Sequence, residues 1–226
     1  MSRDRKLVIV GTGAFAEVAS LYFHKYSGYE IACYAVERAY LETEEFRGRP
    51  VVALEDLPSA YPPDGHDVHV AIVYTQLNRL RPRLVAVAKS QGYRLASFVS
   101  PHAFVGPDVA VGEHCFIFEN NVVQSFASLG NNVVLWSGNH IGHHSRIEDN
   151  VFVSSHVVVS GYCHIGQHTF LGVNSALADK ITVGADCWIG PGVAVTQDVP
   201  ENQILRAADP ITSKVTARRF FRIPAE

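Results

Sequence analysis

Histidine is the residue type in this chain whose number and spacing best suit chemistry. The chain has 226 residues and 11 histidines. Seven of the histidines lie in one stretch, at His114, His140, His143, His144, His156, His164 and His168. A neutral imidazole can take up a proton near neutral pH, so it is suited to general base catalysis. The densest group, between residues 136 and 145, makes the adjacent His143 and His144 the first candidates for such a role.

A repeat of six residues predicts the structure that holds these histidines. Every sixth residue from Val99 to Val195 is aliphatic, and the positions two residues earlier, from Ala103 to Val193, hold only Ala, Val, Ile, Ser, Thr, Cys or Asn. A period of six fits neither a helix nor an ordinary strand. It is typical of a parallel β-helix, in which one aliphatic side chain per face fills the interior. Three hexads make one coil, and the unbroken register predicts that no loop interrupts the coils.

The stacking of coils places His143 where a ligand has room. With Ile141 pointing into the β-helix, His143 and His144 occupy the turn of their hexad, where side chains project from a corner. Gly161 lies 18 residues later, and therefore one coil above His143, while Ser125 lies one coil below. A histidine with no side chain above it predicts a catalytic site at this corner.

The four cysteines are predicted to be packing residues. Cys115, Cys163 and Cys187 fall on the small-residue position of the hexad, and Cys33 lies in an apolar strand. A free thiol buried in this way behaves as a small apolar group. We therefore expect no cysteine nucleophile, and no metal is assigned to the chain.

The charge and hydropathy of the chain exclude two classes of partner. The formal net charge is -3, from 19 Lys and Arg against 22 Asp and Glu, and there is no long basic run. Because nucleic-acid binding needs clustered cations, we expect no nucleic-acid partner. No apolar stretch approaches the roughly 18 residues of a membrane span. The first residues do not resemble a cleaved signal, so we expect a cytoplasmic protein without a membrane partner.

The sequence divides into three regions. Residues 1–98 alternate strands and helices, which predicts an α/β domain of Rossmann type with a parallel sheet. Strands are expected at 6–10, 30–35, 68–74 and 93–99, and helices at 14–26 and 77–91. Residues 99–198 form the β-helix. Residues 199–226 are interpreted as a tail that caps its end, with the basic-aromatic segment 218–222 packed over it.

The segment Gly11-x-Gly13-x-x-Ala16 directly follows the first strand and opens a helix. Glycines in this context let the backbone approach a phosphate at the helix N-terminus, so we expect a nucleotide-phosphate site. A tight strand-to-helix turn without a ligand also fits the pattern. Glu37 follows the second strand, where an acid that binds a ribose would lie, although a surface glutamate fits as well.

These segments together resemble a family of known enzymes. The Gly-rich start, the strand that leads into the hexads, and the segments 139–144 and 170–175 are similar to the hexapeptide-repeat sugar acetyltransferases. That family is typified by sialic acid O-acetyltransferase and bacillosamine N-acetyltransferase. Within it, the chain most resembles enzymes that act on nucleotide-linked amino sugars, such as perosamine N-acetyltransferase. The resemblance covers nearly the whole chain.

The resemblance implies left-handed β-helices, a homotrimer and active sites at the subunit interfaces. Acetyl-CoA, the cosubstrate, would lie in the groove between adjacent subunits. The N-terminal domain would hold the nucleotide of an amino sugar used in cell-surface glycan biosynthesis of the O-antigen or lipopolysaccharide type. The expected reaction is direct transfer of the acetyl group to the sugar amine, with a histidine general base. Backbone N–H groups near Gly161 are expected to stabilise the oxyanion.

The resemblance also assigns roles to individual residues. The general base falls on His143, and the neighbour that is usually an acid is here His144. Substrate contacts fall on Gly11, Gly13, Ala14, Phe15 and Glu37, and cofactor contacts, largely through the backbone, fall on Phe152, Gly161, Val173 and Pro191. The family often has two acids after the second strand, whereas this chain has Val36 and Glu37.

Three other functions fit parts of the sequence. O-acetylation of a sugar of the sialic acid type would use the same machinery with a hydroxyl acceptor. A metal-dependent hydro-lyase of carbonic anhydrase type would use His143, His164 and His168 as candidate zinc ligands. A nucleotide-sugar sensor would bind its ligand without releasing thiol from acetyl-CoA. Should the base not be His143, the next candidate is His140, which is predicted to project from a flat face.

Overall fold

The computed structural model describes residues 4–208 and 213–222 and shows an α/β domain followed by a β-helix. The strands of the α/β domain are β1 (Lys6–Val10), β2 (Ile31–Val36), β3 (Glu45–Phe46), β4 (Arg49–Ala53), β5 (His66–Val70) and β6 (Arg94–Leu95). Its helices are α1 (Ala14–Ser27), α2 (Leu57–Ala60), α3 (Thr75–Asn78) and α4 (Leu80–Ser90), with 3-10 turns at Arg38–Tyr40 and Leu54–Asp56. Among the described residues, no helix combines the length and apolarity needed to cross a bilayer.

The sheet of the α/β domain has six strands in the order β3-β4-β2-β1-β5-β6. All neighbouring strands are parallel except the short β3, which pairs with β4 in the antiparallel direction. The central strands β1 and β2 are almost completely buried, as expected for a parallel sheet covered on both faces. The predicted parallel sheet of Rossmann type is therefore confirmed.

Several elements differ from the expectation: β3, β4 and α2 are additional, β5 ends at Val70 rather than at residue 74, and the strand expected at 93–99 is divided into Arg94–Leu95 and Phe98–Val99. Strand β4 was not predicted, because Pro50 interrupts its apolar pattern. The proline is tolerated there because the outer neighbour of β4 is only the two-residue β3. Helix α4 begins at Leu80 rather than at residue 77, because residues 76–78 adopt left-handed backbone angles, with φ of 55°, 47° and 60°. Pro82 falls in the first turn of α4, where its missing N–H costs nothing.

The β-helix consists of three parallel sheets, named here faces A, B and C, built from two-residue strands (β7–β23 in chain order, with β24 added to face A). Face A contains Phe98–Val99, Phe116–Ile117, Val134–Leu135, Phe152–Val153, Phe170–Leu171, Trp188–Ile189 and Ile204–Leu205. Face B contains Phe104–Val105, Val122–Val123, His140–Ile141, Val158–Val159, Ala176–Leu177 and Ala194–Val195. Face C contains Ala110–Val111, Ser128–Leu129, Arg146–Ile147, His164–Ile165 and Thr182–Val183.

The repeat of six residues fills the interior as predicted. The aliphatic member of each hexad is at most 3% exposed from Ile117 to Val195. Paired strands lie one coil apart, as Ile141 and Val159 do, and no loop interrupts these coils. The predicted packing role of the cysteines is confirmed, since all four are buried and free: Cys33, Cys115, Cys163 and Cys187.

Corners AB, BC and CA join the faces, and one residue in each corner turn has a positive φ. This left-handed backbone is most easily adopted by Gly, Asn, Asp and His. Because coils stack, these residues form one column in each corner. The columns are Asn120, Gly138, His156, Asn174 and Gly192 at corner AB, then Phe126, His144, Tyr162 and Lys180 at corner BC, and His114, Asn132, Asn150, His168 and Asp186 at corner CA.

Aromatic side chains attach the α/β domain to face A. The ring of Phe15 on α1 contacts Phe116 and Trp136, with ring centroids 5.3 and 5.8 Å apart. At corner AB, the hydroxyl of Tyr22 donates a hydrogen bond to Glu119 (2.9 Å). The α/β domain therefore covers face A and reaches corner AB.

The α/β domain also covers corner CA. The side-chain amide of Asn78 donates to the carbonyl oxygens of His168 (2.9 Å) and Thr169 (3.1 Å). Arg81 Nε donates to Oδ1 of Asn132 (2.9 Å). Face A and both of its bordering corners thus carry the α/β domain, and corner BC lies on the opposite side of the β-helix.

Residues 199–205 cover the C-terminal end of the β-helix. They pair with Val183 and extend face A by one strand. Every residue from 213 to 222 is exposed, including Phe220 (72%) and Phe221 (71%). The prediction that the basic-aromatic segment packs over this end is therefore wrong, because the preceding segment already occupies it. The remaining parts of the predicted tail, residues 209–212 and 223–226, lie outside the described residues.

Candidate active site

His143 projects from corner BC and is exposed to solvent. Its backbone N–H donates to Oε1 of Gln124 (2.9 Å), and its carbonyl oxygen accepts from the N–H of Tyr162 (2.9 Å). The coils before and after therefore fix the backbone of His143. An accessible imidazole on a backbone held this firmly can take a proton from a molecule bound at the corner.

His144 lies against His143 and is held between two aromatic rings. The Nδ1 atoms of the two histidines are 3.1 Å apart, which is a hydrogen-bond distance. The ring of His144 stacks on Tyr162, with centroids 4.6 Å apart, and lies 4.7 Å from the ring of Phe126. The structure brings the two predicted catalytic residues together, and it gives His143 an imidazole as its side-chain partner.

Gly161 lies directly against the imidazole of His143, as the stacking of coils predicts. A Cβ atom at Gly161 would come within 2.8 Å of Cε1 and 3.0 Å of Nε2 of His143. The N–H of Gly161 itself donates to Oδ1 of Asp179 (3.0 Å), and the expectation that backbone N–H groups near Gly161 stabilise the oxyanion stays a prediction. The next N–H, that of Tyr162, donates to His143. Both N–H groups therefore form hydrogen bonds between neighbouring coils.

A cleft in the α/β domain forms a second candidate site. It has a volume of about 370 Å³ and lies beyond the carboxyl ends of β1 and β2, where open α/β sheets bind ligands. The cleft is lined by Val10, Gly11, Thr12, Gly13, Val36, Glu37, Tyr40, Ile72, Thr75, Leu80 and Leu84. Three of the predicted substrate residues, Gly11, Gly13 and Glu37, are therefore brought together.

The two glycine positions of this cleft suit glycine for different physical reasons. Gly11 has a φ of 120°, and a Cβ atom there would lie 3.1 Å from the carbonyl oxygen of Ala71, so the strand-to-helix turn itself requires glycine. Gly13 is the N-cap of α1, and a Cβ atom there would meet nothing within 4 Å. No side chain caps this helix, so its first N–H groups can bind an anion in the cleft.

Ala14 and Phe15 follow these glycines but differ in access. Ala14 is exposed at the start of α1, whereas Phe15 is only 4% exposed. The ring of Phe15 packs against Phe116 in the core between the two domains. The side chain of Phe15 is therefore used for domain packing, and the predicted contact of Phe15 with a sugar nucleotide stays a prediction for its backbone.

Glu37 lines the cleft as predicted, but it has a partner that the sequence did not reveal. Both of its carboxylate oxygens accept hydrogen bonds from Arg83, at 2.7 and 2.8 Å. These hydrogen bonds hold the pKa of Glu37 below its ordinary value. Arg83 lies 46 residues further along the chain, and no spacing rule connects the two residues. The cleft therefore has a guanidinium-carboxylate pair at its edge.

The four predicted cofactor residues lie in three places. Phe152 is only 2% exposed, beneath the α/β domain on face A, with its ring 5.2 Å from that of Tyr74. Its side chain is therefore inaccessible, and the expected cofactor contact, which is largely through the backbone, stays a prediction. Val173 and Pro191 are exposed in consecutive coils at corner AB, whereas Gly161 lies above His143 at corner BC.

Comparisons with known proteins agree with this fold. A family model described as "Bacterial transferase hexapeptide (six repeats)" matches residues 126–161. The structure is similar to that of a perosamine N-acetyltransferase variant from Caulobacter crescentus, with one histidine replaced by asparagine, in complex with CoA and GDP-perosamine. The TM-score is 0.80 at 26% identity, and the match covers 88% of this chain and 92% of that one. The chain therefore carries the hexapeptide repeat of bacterial transferases on a fold that it shares with a sugar acetyltransferase.

Two further solved structures share the fold of this chain. One is the acetyltransferase domain of PglB from Neisseria gonorrhoeae in complex with acetyl coenzyme A (TM-score 0.80, 23% identity, 92% of this chain and 100% of that one). The other is WeeI from Acinetobacter baumannii (TM-score 0.78, 21% identity, 88% and 95%). No curated protein sequence matches the chain. The predicted resemblance and the predicted fold, with a β-helix of the left-handed type, are confirmed.

The other histidines of the β-helix that could hold a metal lie apart from His143. His164 Nε2 lies 2.8 Å from Glu148 on face C, and His168 Nδ1 lies 3.3 Å from the carbonyl oxygen of Asn78 at corner CA. These two residues and His143 at corner BC are the zinc ligands expected for the hydro-lyase alternative. They do not lie together within one chain. The described part of the chain contains no cluster of three His, Cys, Asp or Glu arranged to hold a metal.

Proposed function

We propose that this protein transfers an acetyl group from acetyl-CoA to the amine of a nucleotide-linked amino sugar. One observation carries the proposal: an accessible histidine on a hexapeptide β-helix and a nucleotide-sized cleft on an attached α/β domain occur in the same chain. The similar perosamine N-acetyltransferase structure, which contains CoA and GDP-perosamine, supports this pair of substrates. The acetylated sugar would serve cytoplasmic synthesis of a cell-surface glycan of the O-antigen type.

The cleft suits a nucleoside diphosphate in three respects. The uncapped N-terminus of α1 at Gly13 offers N–H groups and a positive dipole end to the diphosphate. The apolar walls formed by Val36 and Leu80 can pack against a nucleobase. The Glu37–Arg83 pair offers both an acceptor and a cation at the edge. Of the predicted substrate residues, Gly11, Gly13, Ala14 and Glu37 therefore keep their proposed roles.

His143 would act as the general base of the transfer. Its neutral Nε2 accepts a proton from the sugar amine while the amine nitrogen attacks the thioester carbonyl carbon of acetyl-CoA. The tetrahedral intermediate then collapses with cleavage of the C–S bond. The proton held by His143 passes to the departing thiolate, which gives the N-acetyl sugar and free CoA. The base is neutral again, and no acyl-enzyme forms.

The complete active site would combine two copies of the chain. The cleft belongs to a domain that covers face A and corners AB and CA, whereas His143 lies at corner BC on the other side. A cyclic homotrimer would bring corner BC of one subunit toward corner AB of the next, where Val173 and Pro191 are exposed. Acetyl-CoA would lie in that groove.

A thiol-release assay tests the reaction. The protein is incubated with acetyl-CoA and a panel of UDP-, GDP- and dTDP-linked amino sugars, with the corresponding sugars that carry a hydroxyl in place of the amine as controls. We expect thiol release with amino sugars on one nucleotide only. Release with the hydroxyl sugars would instead indicate O-acetylation, and binding without release would indicate a nucleotide-sugar sensor.

A mixing experiment tests the shared site. His143→Asn removes the base, whereas Gly13→Asp places a carboxylate where the diphosphate would bind. Aspartate is a favourable N-cap residue and has open space there, so α1 should remain folded. Each variant alone should be inactive. Equal mixtures refolded together should recover about one quarter of wild-type activity, because half of the histidine corners and half of the clefts are intact. No recovery would place the whole site within one chain.

A further inference from the structure

The contact between His143 and His144 couples the tautomers of the two rings. Their Nδ1 atoms are 3.1 Å apart, so one of them donates and the other accepts. A neutral imidazole has a single N–H group. If Nε2 of His143 is to receive a proton, its hydrogen must be on Nδ1, and Nδ1 of His144 must then be the acceptor. The hydrogen of His144 is consequently on its own Nε2.

The aromatic column of corner BC keeps the acceptor in place. The ring of His144 is nearly parallel to that of Tyr162, at 13°, and lies at 31° to that of Phe126. A ring covered on both sides cannot swing away without losing both contacts. The ring of His143 is perpendicular to Tyr162, with centroids 5.2 Å apart. His144 is therefore oriented by packing, and its Nδ1 stays directed at His143.

We propose that His144 is a positioning residue that accepts the Nδ1 hydrogen of His143 and thereby keeps Nε2 of His143 free to take the proton of the sugar amine. The inference rests on the proposed function of His143 as general base. An imidazole can take this place because one of its two nitrogens accepts a hydrogen bond while the other carries hydrogen.

The groups around His144 leave its Nδ1 directed at His143. Asp108 of the preceding coil is the nearby carboxylate, and its pKa is lowered mainly by the N–H of Phe126 that it accepts, with a smaller contribution from His144. Tyr162 of the following coil contributes its ring face, and His143 contributes the shared hydrogen. No carboxylate accepts from either imidazole within the described residues.

Two substitutions separate the acceptor from the packing. His144→Phe keeps a ring in the column, and Phe126 shows that phenylalanine adopts this positive-φ position one coil below. His144→Asn keeps an acceptor, because asparagine Oδ1 occupies nearly the place of histidine Nδ1. Asparagine also adopts the equivalent corner positions at Asn132 and Asn150. Both variants should therefore fold and assemble as the wild type does.

The two variants should differ in turnover. We expect His144→Phe to lower kcat about 10- to 100-fold with little change in either KM, because the base loses its orienting partner. His144→Asn should recover most of that loss. Unchanged kcat in His144→Phe, or no recovery in His144→Asn, would overturn the proposal.

A spectroscopic measurement keeps this result separate from the proposed reaction. Imidazole ¹⁵N–¹H correlation spectra of the wild-type protein should show hydrogen on Nδ1 of His143 and on Nε2 of His144. In His144→Phe, His143 should become a mixture of tautomers. Hydrogen on Nε2 of His143 in the wild-type protein would overturn the positioning role. If the spectra are as expected but no sugar is acetylated, the proposed function fails while the hydrogen-bond assignment stands.

Discussion

Corners BC and CA of the same β-helix carry histidines at equivalent positions and use them in opposite ways. His144 at corner BC and His114 at corner CA both have a positive φ, of 60° and 57°. His144 is exposed, whereas His114 is 1% exposed beneath the α/β domain. The repeat gives both residues the same backbone. The domain that covers one corner and not the other decides which histidine remains accessible.

The covered corner CA forms a hydrogen-bonded interface between the two domains. His114 Nε2 accepts from the N–H of Val70 (2.8 Å), so its hydrogen is on Nδ1, which donates to Oδ1 of Asn132 (2.7 Å). Arg81 is fully buried and donates to the same Oδ1 and to the carbonyl oxygen of Asn132, both at 2.9 Å. Burial lowers the pKa of Arg81 to about 10. Here the column residues hold the fold together.

The uncovered corner has the opposite character. Its column is an exposed stack, in which Phe126 is 67% and Tyr162 is 53% exposed. His143 beside this stack has no hydrogen bond to the described residues of the α/β domain. The comparison shows that a corner histidine becomes structural where the α/β domain covers it, and remains open to chemistry where no domain does.

The largest effect should come from removing the base at the uncovered corner. His143→Asn should lower kcat about 100-fold or more, with unchanged stability, because the side chain is exposed and only a proton acceptor is lost. The matched control is His164→Asn, since His164 lies on face C, outside the cleft and outside corners AB and BC. The control should keep turnover within about twofold of wild type. Acetyl transfer under saturating acetyl-CoA is the measurement, and normal turnover in His143→Asn would place the base elsewhere.

The next effect should appear at the covered corner, and in stability. Arg81→Met removes the buried charge but leaves the carbonyl oxygens of Asn132, Ile72 and Val73 without their donor. We expect the free energy of unfolding to fall by about 3 kcal/mol, since buried acceptors without partners cost about 1–3 kcal/mol each. Urea denaturation of wild type and variant measures the difference. Higher stability in the variant would mean that the desolvation free energy of the unpaired Arg81 cation exceeds the stabilisation from its hydrogen bonds.

The position of His143 could be predicted from the sequence, because a period of six determines which residues point inward and which ones stack. The same spacing of 18 residues also identifies the column of Phe126, His144 and Tyr162, although the sequence analysis did not use it. The domain interface at corner CA could not be predicted. Arg81 and Asn132 are 51 residues apart in different domains, and no local pattern specifies how two domains dock.

The same limit applies to two aromatic residues of the predicted sites. Phe15 and Phe152 occupy the predicted segments, but the docking of the α/β domain on face A buries both side chains. A motif gives the position of a residue in its own element. It does not reveal whether another domain covers that element.

Acid should weaken the covered corner before it affects the rest of the fold. Burial lowers the pKa of His69 to about 4 and that of His114, which stacks on it at 4.4 Å, well below 6.5. The unfolded chain therefore binds these two protons at higher pH than the folded chain does. Stability is complete above about pH 6.5 and is lost as the pH falls toward 4, by about 1.4 kcal/mol per pH unit for each histidine.

Urea denaturation between pH 7 and pH 4 measures this acid dependence. Arg81 also faces both imidazoles and disfavours their protonation. His69→Phe keeps a ring among Phe23 and Phe116 and removes one titrating group, so its stability should fall less steeply with acid. An equal slope in wild type and variant would mean that His69 is not protonated on unfolding, and the contrast between the two corners would then rest on hydrogen bonding alone.

The smallest effect should come from filling the space beside the base. A Cβ atom at Gly161 would lie 3.0 Å from Nε2 of His143, so Gly161→Ala should push the imidazole away from its position. The ring is exposed and can rotate, so thermal stability should change little, while kcat falls about tenfold because the reacting nitrogen is misplaced. Melting temperature and initial rates, measured on the same preparation, separate the two effects. A fall in stability with normal kcat would make Gly161 a packing glycine, and corner BC would then resemble corner CA more than the present comparison allows.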